Sequence, residues 1–292
     1  MDYIVVSTSK CDYQSWQLKL LYWSIKKTKQ KGKLIILLSE DVGHKDENPS
    51  FSFPSDVTII NLPDWADQWQ NQNNNDWWGG IPNKYKSIEW LCNNNYFKDE
   101  DKLLFLDPDM VFINPIDTDI QDNQVIGQKF IHFTHLPDWK RYDSDEGMMY
   151  PFALKFSTLK TISPNYTEFC ESIRRQTGRW ESEMWGFDYA LKENNIDVKL
   201  IEDWGTCTEW NKDNNRDIIG NLIHYPNEVL DKNGERIFFK QDYTFSPNQN
   251  FLLSSTKNKT DNILLTNVTQ QRTDYLYYLK YNFDSIFKFY DG

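Results

Sequence analysis

Long apolar runs are missing from this sequence. The densest early one, LIILL at Leu34–Leu38, falls far short of the roughly 20 residues that cross a bilayer. The opening, MDYIVVSTSK, has neither the basic start nor the apolar centre of a secretion signal. The expectation is a soluble, cytoplasmic protein or a trimmed catalytic domain. Cysteine is scarce: Cys11, Cys92, Cys170 and Cys207 are the 4 present. None stands in a C-x-x-C pair, which excludes a zinc ribbon and points to free buried thiols. Histidine is as rare, at 4 residues. Basic charge is in deficit, with 32 Lys and Arg against 43 Asp and Glu and a net charge of −11. Such a chain repels phosphate backbones at long range, which argues against a general nucleic-acid binder. Lys140–Tyr142 and Arg174–Arg175 are too sparse to make a basic groove. The sequons at Asn165, Asn258 and Asn267 are attributed to the abundance of asparagine.

Aromatic residues are plentiful: 12 Trp, 16 Tyr and 18 Phe in 292 residues. They supply material for a sizeable core. Along the chain, YIVVSTS reads as a strand followed by a loop at Ser7–Ser9. YQSWQLKLLYWSIKK places apolar residues at near-helical spacing,. KLIILLSE and DVTIINLP read as strands, YKSIEWLCNN as a helix and KLLFL as a central strand ending at Asp107. Downstream, DNQVIGQKF and MMYPFALKFS read as strands, TEFCESIRRQ and SEMWGFDYALKEN as helices. VKLIED and GNLIHYP read as strands. This order predicts an α/β fold with a mostly parallel central sheet flanked by helices. No repeat or linker divides it, so one domain over 1–292 is expected, with 250–292 a C-terminal extension. There Leu276, Leu279, Phe283 and Ile286 share a helical face suited to packing on the body,.

LLFLDPDMVF, Leu103–Phe112, sets two acids inside an apolar pattern. Parallel sheets place ligands at the carboxyl ends of their strands, where Asp107 and Asp109 are expected. Residues i and i+2 in extended chain point to the same side. Two carboxylates on one crevice repel unless a cation lies between, and hard divalent ions keep open positions for substrate phosphates. A plain Asp–Pro turn is the competing reading. His224, ending the strand in LIHYP, is a candidate third ligand, and an imidazole suits Mn²⁺ better than Mg²⁺. His132 and His135 are spaced for a separate zinc site, but no third ligand stands near them.

With these residues in view, the chain resembles GT-A glycosyltransferases, in particular the hydroxyproline O-arabinosyltransferase and peptidyl-serine α-galactosyltransferase group. Five stretches carry the likeness in order: YQSWQLKLLYWSIKK, PNKYKSIEWL, LLFLDPDMVFINPI, RWESEMWGFDYAL and IHYPNEVLDKNGERIFFKQDY. The resemblance implies a GT-A, Rossmann-like nucleotide-sugar fold. It implies an enzyme that moves arabinose or galactose from a UDP-sugar to an acceptor hydroxyl, with retention. Asp107, Asp109 and His224 would hold Mn²⁺ or Mg²⁺. Ser7, Thr8, Gln17, Asn83, Lys84 and Lys240 are the implied donor contacts, although Ser7, Thr8 and Asn83 are equally ordinary capping residues. Glu183 is the acid placed nearest the reacting sugar, with Asp188 about a turn further on. Tyr85 stands where the group usually has proline. The acceptor hydroxyl belongs to a protein or glycan; a hydroxymethylated base in DNA and a non-catalytic sugar-binding module are the other two readings.

Overall fold

A computed structural model describes residues 1–40, 53–66, 81–131, 146–179, 181–202, 204–207, 221–224, 228–230 and 236–239. Its body is a seven-stranded sheet of order β3-β2-β1-β4-β7-β6-β8. The strands are β1 (Tyr3–Ser9), β2 (Lys33–Ser39), β3 (Thr58–Leu62), β4 (Lys102–Leu106), β6 (Gln124–Ile131), β7 (Glu146–Lys155) and β8 (Asp197–Ile201). β1, β2, β3 and β4 pair in parallel. β7 runs antiparallel to both β4 and β6, while β6 and β8 are parallel. One reversed strand thus interrupts an otherwise parallel sheet, and the expected α/β class is the one observed.

The central strands are buried on both faces, as parallel strands under helices must be. Ile4, Val5 and Val6 of β1 and Leu103 and Leu104 of β4 have no exposed surface. Helices α1 (Asp12–Thr28), α2 (Ile81–Asn93), α3 (Phe156–Thr177) and α4 (Ser182–Glu193) complete the layers. A second sheet, β5-β10-β9, joins β5 (Met110–Phe112), β9 (Gly205–Cys207) and β10 (Leu222–His224). β11 (Glu228–Leu230) and β12 (Arg236–Phe239) form a separate hairpin.

Two helix starts differ from the sequence reading. The strand expected through Ser157 ends at Lys155, and α3 begins at Phe156. Pro164 marks a stop in sequence, because an interior proline loses a backbone bond and clashes with the preceding turn. Here it sits inside α3. Leu159, Ile162, Tyr166, Cys170 and Ile173 recur at helical spacing and are at most 1% exposed, so burial of one continuous stripe outweighs the local cost,. Likewise α2 begins at Ile81, with Pro82 in its first turn where no amide bond is required,. Asn83 is therefore inside α2 and not its N-cap.

α3 closes at Gly178 in the left-handed region (φ 63), its N–H donating to the Arg174 carbonyl at 2.8 Å,. Gly186 lets α4 lie close on α3: a Cβ there would meet Cys170 Sγ at 2.5 Å and Cys170 N at 2.8 Å. Cys11, Cys92 and Cys170 are free and buried, as expected. Among the described residues no helix is long and apolar enough to cross a membrane. The C-terminal extension 250–292, His44, His132, His135 and the side chain of Cys207 lie outside the described residues.

Candidate metal centre

β4 stops at Leu106, and Asp107 and Pro108 turn the chain into β5. β5 leaves the main sheet and pairs antiparallel with β10, so that Met110 lies opposite His224. That register brings a histidine more than a hundred positions away beside Asp109. His224 Nε2 stands 3.3 Å from Asp109 Oδ1 and 3.9 Å from Asp107 Oδ2. One ligand atom from each of the three residues falls within 4.8 Å of the others. Asp109 and His224 are buried.

These residues fit a divalent cation. Two carboxylates converge where they would otherwise repel, and an imidazole nitrogen faces the same point. The opposite ring nitrogen, His224 Nδ1, is buried and has no hydrogen-bond partner among the described residues. Oxygen ligands with one imidazole suit Mn²⁺ or Mg²⁺, not a thiolate-seeking ion.

The first turn of α2 supplies a cation. Lys84 Nζ lies 2.6 Å from Asp107 Oδ1 and 3.3 Å from Glu183 Oε2. An ammonium at a helix N-terminus is opposed by the helix dipole, so the acids must hold it there. Burial pulls the ammonium down, but attraction to Asp107, Glu183 and Asp109 outweighs it and raises Lys84 above the ordinary lysine range. Glu183, in the first turn of α4, is 6% exposed. Burial, followed by repulsion from Asp107, lifts its carboxyl above the usual range, against the opposing pull of Lys84. Its Oε1 accepts no hydrogen bond among the described residues. The Tyr150 ring centroid lies 4.8 Å from Lys84 Nζ.

The structure thus gathers Lys84, Asp107, Asp109, Glu183 and His224 into one cluster. The other candidates are engaged elsewhere. Ser7 donates to the Asn83 carbonyl at 3.4 Å and shares a hydrogen bond with Ser87 at 3.2 Å. Thr8 donates to Gln14 Oε1 at 3.2 Å. Asn83 Oδ1 accepts from the backbone N–H groups of Trp65 and Ala66, and its amide donates to Asp64. Gln17 is fully buried; its amide donates to the Tyr13 carbonyl at 2.7 Å, while its Oε1 has no hydrogen-bond partner among the described residues. Asp188 accepts from the backbone N–H of Met148 on β7 at 3.1 Å. Lys240 and Trp180 lie outside the described residues. Tyr150 is the residue that sequence reasoning missed. In MMYPF it is one aromatic among many in a strand, with no motif to single it out.

No protein-family model matches the chain. Two curated proteins align over most of it. The hydroxyproline O-arabinosyltransferase NOD3 of Pisum sativum is 22% identical over 276 residues, covering 84% of this chain and 78% of that protein. The hydroxyproline O-arabinosyltransferase RDN1 of Medicago truncatula is 22% identical over 278 residues, covering 84% and 72%. Among solved structures, the bifunctional glycosyltransferase WbbM superposes with a TM-score of 0.47 at 12% identity over 78% of this chain. This chain spans only 46% of WbbM. The galactosyltransferase LgtC, in complex with donor and acceptor sugar analogs, gives a TM-score of 0.47 at 13% identity over 77% of this chain and 87% of its own. Over most of its length the chain is thus similar in sequence to two hydroxyproline O-arabinosyltransferases.

Proposed function

We propose that this chain is a metal-dependent glycosyltransferase that moves a sugar, arabinose or galactose, from a UDP-sugar to an acceptor hydroxyl. The observation that carries the reading is the convergence of Asp107, Asp109 and His224 from the β4–β5 turn and β10. Two carboxylates and an imidazole that converge on one point, with Asp109 and His224 buried, form a donor set that a divalent cation would complete,. The similarity to two arabinosyltransferases supports the sugar class.

In this reading Asp107, Asp109 and His224 hold Mn²⁺, or Mg²⁺ in its place. The bound ion would neutralise charge on the departing nucleoside diphosphate as a Lewis acid. Lys84 supplies a fixed positive charge beside the ion, and Lys240 a second one on the diphosphate. Glu183 faces the sugar. Its Oε1 accepts no hydrogen bond among the described residues and is available to a sugar hydroxyl or to positive charge developing at the anomeric carbon,. Its contact with Lys84 favours this electrostatic role over that of a covalent nucleophile. Retention then follows from attack on the face the diphosphate leaves, with the diphosphate taking the acceptor proton. Gln17 and Asn83 shape the floor on the donor side. Ser7 and Thr8 hold the β1 end in place, because their hydroxyls are already engaged. Asp188 anchors β7 through Met148 and acts at one remove.

The experiment is Mn²⁺-dependent hydrolysis of a panel of UDP-sugars by the wild-type chain and Asp109→Ala. Turnover that requires Mn²⁺ and falls by about a thousandfold in the variant is expected. Turnover that survives in chelator, or in Asp109→Ala, refutes the metal assignment. Stabilisation by a nucleotide other than a uridine one refutes the donor.

A further inference from the structure

β5 and β10 meet in a ladder of only three residue pairs. Within it Met110, Val111, Phe112, Leu222 and Ile223 are all at most 1% exposed. A strand fixes its register by the alternation of a buried and a solvated face. Here both faces are buried, so alternation does not say which residue faces which. A slip by one residue moves His224 about 3.4 Å along β5 and turns its side chain to the other face; a slip by two moves it about 7 Å. Either takes the imidazole away from Asp109, whose Oδ1 stands 3.3 Å from His224 Nε2. The site therefore needs a register lock outside the ladder.

Asn221, the residue before β10, is placed to be that lock. Its carbonyl accepts from the N–H groups of Ile113 and Asn114, at 2.8 and 3.1 Å. Its side-chain amide donates to the Pro115 carbonyl at 2.8 Å. Any residue could offer the carbonyl bonds, but the third needs an amide donor of this length. Asn221 is itself held, because its N–H and that of Leu222 both donate to the Trp204 carbonyl, at 3.2 and 3.0 Å. The other edge of β5 is tied to α1. Ser24 Oγ accepts from the Phe112 N–H at 3.1 Å. Gln30, also buried, accepts from the Ile116 N–H at 2.6 Å and donates to the Ile116 carbonyl at 3.0 Å. α1 thus fixes β5 on the body, and Asn221 fixes β10 on β5.

We propose that Asn221 is a positioning residue for the metal centre: through Pro115 it locks the β5–β10 register that carries His224 to Asp109. Its binding readout rests on the reading of Asp107, Asp109 and His224 as metal ligands. A site assembled in only a fraction of the molecules binds its ion more weakly in proportion to that fraction. The isosteric change Asn221→Asp sets an acceptor against the Pro115 carbonyl and turns attraction into repulsion.

Titration with Mn²⁺ alone, at neutral pH and without nucleotide-sugar, reads the lock. In Asn221→Asp the dissociation constant is expected to weaken by about three- to tenfold, and in Asn221→Ala by about twofold. An added negative charge would by itself tighten cation binding, so weakening in the aspartate variant reports the register. A constant that is unchanged or tighter overturns the proposal. In the His224→Ala background no imidazole remains to be positioned, and Asn221→Asp is expected to leave Mn²⁺ binding no weaker. A loss as large there as in the wild type is general damage and overturns the route through His224. A second measurement needs no metal. The Phe112 N–H points to Ser24 and away from β10, so Phe112–Leu222 and Met110–His224 are the pairs without mutual backbone bonds, with Cα atoms about 4.5 Å apart,. The Hα–Hα nuclear Overhauser effect between Met110 and His224 is expected to be strong in the wild type and to fall by about half or more in Asn221→Asp. Full retention overturns the lock. Wild-type protein that binds no Mn²⁺ defeats the metal reading instead, and the Overhauser measurement then decides the inference by itself.

Discussion

The carboxyl ends of β1 and β4 lie side by side, with Val6 paired to Leu106, and they treat polar atoms in opposite ways. In the last residues of β1, the hydroxyls of Ser7 and Thr8 are spent on Ser87, Asn83 and Gln14. After β4, Asp107 and Asp109 are crowded with Glu183 and His224 around one lysine. Two buried atoms there, Glu183 Oε1 and His224 Nδ1, have no hydrogen-bond partner among the described residues. The first region is scaffold, stabilised by its polar contacts. The second carries like charges in low dielectric, which costs stability until a ligand arrives. The same sheet edge thus separates what holds the fold from what the fold holds in readiness.

The comparison breaks most sharply at Lys84. In Lys84→Met the acids of the second region lose their cation. Turnover is expected to fall by about a hundredfold or more. Stability should drop by on the order of 2 kcal/mol, reduced from the cost of a fully buried pair because Lys84 is partly exposed. Denaturant unfolding checks the second figure. Excess Mn²⁺ is expected to restore part of the stability, since it supplies the missing positive charge.

Glu183→Gln should separate stability from activity. A carboxyl raised by burial and by Asp107 binds its proton more tightly in the folded state than in the unfolded state. Ionisation therefore costs folding free energy. Stability is greatest below the ordinary carboxylate range and falls as pH rises through that range to the raised folded value. Glutamine removes this cost. At neutral pH the variant is expected to melt about 1–3 °C above the wild type, with lower turnover. The gap should close as the pH is brought down through the ordinary carboxylate range. A variant that melts lower at neutral pH would mean that the Lys84 contact outweighs burial.

The smallest effect belongs to the first region. Ser7→Ala loses hydrogen bonds to α2, worth about 0.5–1.5 kcal/mol. Turnover should stay within about twofold of the wild type. A large loss of turnover without loss of stability would assign the hydroxyl to the nucleotide and erase the contrast between the two strand ends.

Much of this was legible along the chain because it depends on local pattern. Apolar runs bounded by turn residues marked β1, β2, β3 and β4. Helical spacing marked α1 and α4. The two acids at a strand end, and His224 at another, were readable because a parallel sheet opens its crevice at carboxyl ends. The start of α3 was not readable, since Pro164 argues locally for a stop and only the buried stripe from Leu159 to Ile173 overrules it. Asn83 looked like a cap for its own helix. It instead receives the N–H groups of Trp65 and Ala66, a contact set by where α2 lands.

By itself the sequence determined the α/β class, the strand ends and the chemical types available there. Hydrophobic periodicity and turn chemistry act over a few residues and are written in order. The tertiary structure alone decided which of those groups meet. The β5–β10 register delivers His224 to Asp109. The first turn of α2 delivers Lys84 to Asp107 and Glu183. The reversed strand β7, continued past Phe105–Phe152, sets Tyr150 level with Asp107. Charge pairing falls off within a few ångströms, so it depends on register and helix placement, which no local pattern encodes.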